Sequence, residues 1–129
     1  MLVAIPAVLA ALVHVYIFVI ESLRFTTPST MKTFGIKSIE DARTMRPWAF
    51  NQGFYNLFLA VIAAMGAVAS VAATENTTAH AIGRTLVWTA VTCMLAAAIV
   101  LVASDRSKVR GALVQGTFPL LTIIALLVA

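Results

Sequence analysis

The sequence predicts an all-α membrane protein in which four transmembrane helices form a compact bundle. Of its 129 residues, 61% are apolar and only 11% are charged, and the mean hydropathy is +0.98. Soluble chains average about 45–50% apolar and about 25% charged residues. This composition excludes a cytosolic enzyme, a secreted disulfide scaffold and a disordered tail. The length predicts a single domain over residues 1–129.

Four apolar runs define the predicted helices. Each run has about 19 to 23 residues, enough at ~1.5 Å per residue to cross a hydrocarbon core of ~30 Å. The first run lacks the basic leader region of a cleavable signal peptide, and we expect no extramembrane domain after the last. The predicted helices are residues 1–23, 54–73, 85–103 and 111–129, with loops at 24–53 and 104–110.

The lysines and arginines predict the orientation. Eight of the nine lie in loops 24–53 and 104–110, which belong on the same side of the membrane, and the ninth is Arg84. Because cytoplasmic loops carry the excess of basic residues, we predict a cytoplasmic-membrane protein with both loops in the cytoplasm and both termini outside. The predicted place of the basic residues in cytoplasmic loops therefore explains the net charge of +4. The lipid bilayer is the predicted partner, and nucleic-acid binding is not expected.

The first loop carries its own helix signals. Thr27-Pro28 is typical of an N-cap followed by proline at the first helical position, and Gly35 suits the end of a short helix. Ser38 begins a capping-box pattern that opens a second short segment ending before Pro47. We predict one or two short interfacial helices in this loop. The alternative is a basic, solvated loop.

Small residues at helical spacing predict where helices two and three pack. In lipid, helices associate largely through close backbone approach at such residues. The predicted packing stripes are Ala60, Ala63, Ala64, Gly66, Ala67 and Ser70 on helix two, and Thr89, Cys93 and Ala97 on helix three.

Polar side chains within the predicted spans are few. His14 and Glu21 are seven residues apart, which is nearly two full turns of an α-helix, so both are expected on one face. They are separated by ~10 Å along the axis, so a water or a third side chain is needed to link them. The other polar side chains begin helices two and four from the same predicted side: Asn51, Gln52, Tyr55, Asn56 and Gln115.

This convergence predicts a polar cavity that opens to the cytoplasm and is floored by His14. Ionisable groups inside spans are costly and usually line a cavity or a pathway. The alternative is structural, with Glu21 paired to Arg24, His14 bonded to a neighbouring helix, and the amides holding helices together.

The same polar residues carry a family resemblance. The motifs are His14-x6-Glu21, Thr27-Pro28, Phe34-Gly35, Asn51-Gln52-Gly53-x-Tyr55-Asn56 and Gln115-x3-Pro119. With them the chain resembles, over nearly its whole length, the small four-helix integral membrane proteins of domain-of-unknown-function family 1304. The resemblance implies an architecture and a motif but no reaction.

Three functions fit these residues. We rank first the binding, and transport with proton coupling, of a small polar or amphiphilic ligand, for which a homodimer is expected. The second is an intramembrane acid–base enzyme of isomerase or hydratase type, with Glu21 and His14 catalytic and a lipophilic substrate. In both, the ligand-binding residues are Asn51, Gln52, Tyr55, Asn56 and Gln115. The third is a structural or regulatory subunit. No cofactor is predicted, and no residue cluster has metal-ligand spacing.

Overall fold

Each of the four predicted apolar runs is helical over nearly its whole length. A computed structural model describes all residues, Met1–Ala129, and contains no strands. The elements are α1 (Ala4–Phe18), a π-helical turn (Val19–Leu23), α2 (Pro28–Phe34), α3 (Ile39–Ala72), α4 (Thr78–Ser104), a 3-10 turn (Arg106–Lys108) and α5 (Val109–Val128). Four helical segments are long and apolar enough to cross a membrane: Ala4–Leu23, Ile39–Ala72, Thr78–Ser104 and Arg106–Val128. The predicted all-α class, with four apolar helices long enough to span a membrane, is confirmed.

Helix α3 is longer than the sequence predicts. Its 34 residues extend for about 51 Å, well beyond a hydrocarbon core of ~30 Å. Pro47 lies inside this helix, so the prediction of a separate segment ending before Pro47 is wrong. Proline cannot donate the usual backbone hydrogen bond to the carbonyl four residues earlier. Pro47 and Arg43 are both exposed, so solvent can reach that carbonyl.

Helix α2 begins and ends where the local signals indicate. The Thr27 hydroxyl oxygen accepts a hydrogen bond from the Thr30 backbone N–H, and Pro28 occupies the first helical position. Gly35 ends the helix in the left-handed conformation, with φ 71°, which a residue without a Cβ adopts freely. The short helix is therefore present, while its place at the membrane interface stays a prediction.

The chain divides into two compact units. One comprises residues 1–13 and 59–129, and the other residues 14–58. The single-domain organisation stays a prediction.

The unit of residues 1–13 and 59–129 has a core of small side chains from four helices. The predicted stripe on α3 is confirmed, because Ala60, Ala63 and Ala67 are buried. A Cβ on Gly66 would lie only 2.7 Å from the Val87 backbone nitrogen. The α3 and α4 backbones thus approach each other at a distance that a larger residue would prevent.

The predicted packing stripe on α4 is wrong. Thr89, Cys93 and Ala97 are all exposed. The buried face of α4 instead consists of Gly83, Val87, Ala90, Val91, Met94 and Ala98. Since α4 is apolar on every side, residue size alone did not distinguish the packed face from the lipid-facing one.

Candidate functional site

The centre of the candidate site is a hydrogen bond between Glu21 and Asn56. Glu21 lies in the π-helical turn after α1, and Asn56 lies on α3. Asn56 Nδ2 donates to Glu21 Oε2 over 2.9 Å and to the Gln52 carbonyl oxygen over 3.2 Å. A side-chain amide has two N–H groups, so both are used inside the chain. The bond to Gln52 fixes the amide in the orientation that presents it to Glu21.

Glu21 lies within a π-helical turn. The Arg24 backbone N–H donates to the Val19 carbonyl oxygen over 2.9 Å, five residues back instead of four. Such turns are rare, and they are frequent at functional sites. The expected shared face of His14 and Glu21 assumed a regular α-helix, but the helix changes at Val19, between the two residues. The sequence carried no signal that we recognise for this turn.

The backbones of α3 and of the π-helical turn approach each other closely beside the Glu21–Asn56 pair. The Ser22 hydroxyl donates to the Phe50 carbonyl oxygen over 2.8 Å, and Ser22 is buried. A Cβ built on Gly53 would overlap the Ser22 hydroxyl oxygen and lie 3.1 Å from the Glu21 Cβ. Gly53 therefore permits α3 to approach the π-helical turn. No role was predicted for Ser22 or Gly53, although Gly53 lies inside the motif Asn51-Gln52-Gly53-x-Tyr55-Asn56.

Aromatic rings line the same part of α3. The Phe54 ring packs on Phe18 with centroids 5.1 Å apart, at 77°, and on Phe50 at 4.9 Å. Phe58 continues the row, 6.2 Å from Phe54. Phe50 and Phe58 are exposed. Glu21 and these aromatic residues thus lie on neighbouring turns of the same helical segments.

The other predicted site residues in this unit have different environments. His14 is buried, with 1% of its surface exposed, whereas Tyr55 is 57% exposed. Asn51 and Gln52 are also exposed. The Glu21 carboxylate accepts a hydrogen bond from Asn56. The structure therefore brings together Glu21, Asn56 and the backbone of Gln52, while the roles of His14, Asn51 and Tyr55 stay predictions.

Glu21 does not form the ion pair that the structural interpretation requires. Arg24 is exposed, and the side-chain partner of the Glu21 carboxylate is the neutral Asn56. The structure has no cluster of three or more His, Cys, Asp or Glu residues that could hold a metal ion. The chemistry available is that of one half-buried carboxyl group, oriented by an amide.

One protein family matches nearly the whole chain. The model of DUF1304, described as a protein of unknown function, matches residues 8–127. The chain belongs to the DUF1304 family. No similar protein was found among curated proteins or solved structures. The resemblance of the sequence motifs to this family is thereby confirmed.

In this DUF1304 chain, Gln115 lies on α5, in the unit of residues 1–13 and 59–129. It is half-buried, and Pro119 follows four residues later inside the same helix. Because proline has no N–H, the Gln115 carbonyl does not receive the usual helical hydrogen bond from position 119. The motif Gln115-x3-Pro119 thus leaves the Gln115 carbonyl oxygen without this hydrogen bond, on a residue that also carries a side-chain amide. The participation of Gln115 in ligand binding stays a prediction.

Proposed function

We propose that this DUF1304 protein binds a small amphiphilic cation in a cytoplasm-facing cavity and exchanges it for a proton on Glu21. The observation that carries the proposal is the Glu21–Asn56 hydrogen bond at 2.9 Å. It holds a carboxyl group in a fixed orientation within an apolar span. Ionisable groups in such positions are rare, and they usually mark substrate, ion or proton pathways.

The charge of the site supports a cation as the ligand. Glu21 is the only acidic residue within the span Ala4–Leu23, and its side-chain partner is a neutral amide. A deprotonated Glu21 would therefore carry a negative charge that no basic side chain neutralises. A bound cation or a bound proton would each neutralise it, which supports competition between the two.

The aromatic rings support an amphiphilic ligand. Phe18, Phe50, Phe54 and Phe58 form a continuous row of ring contacts. Ring faces attract cations, and their apolar surface accommodates the hydrophobic part of a ligand. His14, Asn51, Gln52 and Tyr55 are proposed to complete the cavity, with their polar groups orienting the ligand.

Transport follows if the cavity opens alternately to the two sides of the membrane. One chain contributes four spans, and we propose that two chains form the transporting homodimer. In the proposed orientation, loops 24–53 and 104–110 are cytoplasmic and both termini are outside. Proton and ligand would then occupy Glu21 in turn, which couples their movements.

Equilibrium binding of tritiated tetraphenylphosphonium to the purified protein in detergent tests the proposal. We expect saturable binding that weakens on acidification, because a protonated carboxyl group does not attract a cation. Glu21→Gln is expected to abolish binding while keeping the hydrogen bond, since the glutamine side-chain oxygen still accepts from Asn56. The matched control is Glu40→Gln, which removes an exposed acidic residue of α3.

A structural role is the second candidate, because both Asn56 N–H groups are used inside the chain. It predicts no saturable binding by the wild type and a lower melting temperature in Asn56→Leu, which removes both N–H groups. That pair of results, or equal binding by the wild type and Glu21→Gln, would overturn the ligand-binding proposal. No contact in the structure favours the acid–base enzyme, which stays an alternative from the sequence.

A further inference from the structure

The start of α4 carries the one basic residue that lies outside the two basic loops. Arg84 is half-buried, and its Nη2 donates to the Leu126 carbonyl oxygen over 3.0 Å. Leu126 belongs to the last turn of α5, whose carbonyls lack helical donors. A cation at a helix C-terminus also interacts favourably with the helix dipole. This bond holds the guanidinium in place between α4 and α5.

Two surface hollows share Arg84 as part of their wall. One has a volume of about 540 Å³ and is lined by Asn76, Thr77, Thr78, His80, Ala81 and Arg84. The other has a volume of about 230 Å³ and is lined by Arg84, Thr85, Trp88 and Leu126. Most residues that line the first hollow have polar side chains, and the lining of the second includes an indole ring and a leucine. The Arg84 side chain thus contributes to the walls of both hollows.

One residue that lines the first hollow has unused hydrogen-bonding capacity. His80 Nδ1 is buried and has no hydrogen-bond partner in the chain. Buried polar atoms are nearly always paired, and an exception commonly marks the position of a water or an ion. The Arg84 guanidinium has five N–H groups, and its hydrogen bond within the chain goes to Leu126. Its remaining N–H groups suit bidentate binding of a phosphate.

The helix adds a favourable field to these two side chains. Helix α4 has 27 residues, and Thr77 caps its first turn by accepting from the His80 backbone N–H. The positive end of the helix dipole favours an anion in this position. Glu75, the acidic residue of the preceding loop, is exposed and does not line the hollow.

We propose that Arg84 and His80 bind a phosphate oxyanion in the hollow at the start of α4. A phospholipid headgroup and free inorganic phosphate share this chemistry. The adjoining hollow at Trp88 suits the apolar part of a lipid, and tryptophan is enriched at the level of lipid headgroups. In the predicted orientation the site lies at the outer surface of the membrane, and it does not depend on the function proposed for Glu21.

Native mass spectrometry of the detergent-purified protein tests the site with two lipids that have the same acyl chains. Dioleoyl phosphatidic acid carries a phosphate, and dioleoylglycerol does not. We expect saturable binding of phosphatidic acid, about tenfold or more tighter than that of dioleoylglycerol, because hydrogen bonds to a charged group contribute at least this factor. A parallel titration with inorganic phosphate shows whether the oxyanion alone binds or whether the acyl chains are required.

Two variants separate binding from folding. Arg84→Gln is expected to lower phosphatidic acid affinity about tenfold or more, but it also removes the bond to Leu126. His80→Ala leaves that bond intact and is expected to lower the affinity as well. Arg106→Gln, which changes an exposed arginine of the 3-10 turn, is the control and should bind like the wild type. Equal binding of both lipids, or unchanged affinity in His80→Ala together with Arg84→Gln, would overturn the proposal.

Discussion

Asn56 Nδ2 lies 2.9 Å from Glu21 Oε2 and joins two segments that are 35 residues apart in the sequence. The same amide is anchored by the Gln52 carbonyl, one turn earlier on α3. The carboxyl group and the amide thus form a unit whose geometry is set by α3 and the π-helical turn. The candidate site depends on this unit.

Replacing Asn56 with leucine tests the structural contribution of the pair. Asn56→Leu keeps a similar volume but removes both N–H groups. We expect the free energy of unfolding in detergent to fall by about 0.6–1.7 kcal/mol, the range measured for hydrogen bonds between helices in a membrane protein. Denaturation by sodium dodecyl sulfate measures this change. Asn51→Leu is the control, since Asn51 is exposed, and an equal loss in both variants would contradict the account.

The close approach at Gly53 predicts that even one methyl group is harmful there. In Gly53→Ala the new Cβ overlaps the Ser22 hydroxyl oxygen, so the two segments have to separate. Overpacking of this kind costs about 1–3 kcal/mol of unfolding free energy, and tetraphenylphosphonium binding should weaken with it. Adding Ser22→Ala removes the overlapping atom and should restore part of the stability.

The control for Gly53 is Gly111→Ala, at a second helical glycine. A Cβ on Gly111 would meet only the Leu101 Cδ2, at an ordinary contact distance of 3.8 Å. Because alanine favours helix more than glycine does, this variant should be unchanged or more stable by up to about 1 kcal/mol. If Gly53→Ala behaves like Gly111→Ala, the proposed close approach is wrong.

Local sequence signals correctly predicted the features that are determined by residues close together in the chain. Thr27, Pro28 and Gly35 fix the ends of α2 through capping and backbone conformation, which the sequence displays directly. The apolar runs likewise indicate the spans, because their length matches the bilayer. Proline was a less reliable signal for the end of a helix. Pro47 would end the helix only if the carbonyl that loses its hydrogen bond had no other partner. The exposure of Pro47 was not visible in the sequence.

Features that depend on contacts between segments were harder to predict. Glu21 lies in the π-helical turn that precedes Arg24. No residue pattern in the sequence predicted this turn. Thr89, Cys93 and Ala97 had the spacing of a packing stripe but are exposed. In an apolar span, hydrophobic periodicity no longer separates the two faces, so only the fold identifies the buried one.

The turn between α4 and α5 is expected to respond to acid. Hydrogen bonds from the Ser107 side chain and backbone N–H hold the pKa of Asp105 below its ordinary value of 3.8. A carboxyl group with a lowered pKa stabilises the folded state above its unfolded pKa and loses this effect as the pH falls through the folded pKa. Asp105→Asn should therefore lower the melting temperature at neutral pH, and the difference should vanish in strong acid.

A titration of Asp105 by carbon-detected NMR checks the same point directly. In the wild type, the midpoint of the carboxyl titration should lie below pH 3.8. In Ser107→Ala this midpoint should move to a higher pH. A midpoint at or above the ordinary value would show that the Ser107 bonds do not stabilise the charged form.

The proposed orientation can be tested by labelling cysteines in intact cells. Both test variants carry Cys93→Ser, which removes the native thiol. With a membrane-impermeant maleimide, Thr74→Cys in the loop between α3 and α4 should be labelled, whereas Ser29→Cys in α2 should be labelled only after the cells are permeabilised. Both positions are exposed. The reverse pattern would place loops 24–53 and 104–110 outside.

Proton release on ligand binding tests the central claim, that a proton and an amphiphilic cation compete for Glu21. Tetraphenylphosphonium is added to the weakly buffered protein in detergent, at a series of pH values from mildly acidic to mildly alkaline. The account predicts release approaching one proton per bound cation in part of this range, and none in Glu21→Gln. Saturable binding without proton release at any pH, or the same release from Glu21→Gln, would contradict it.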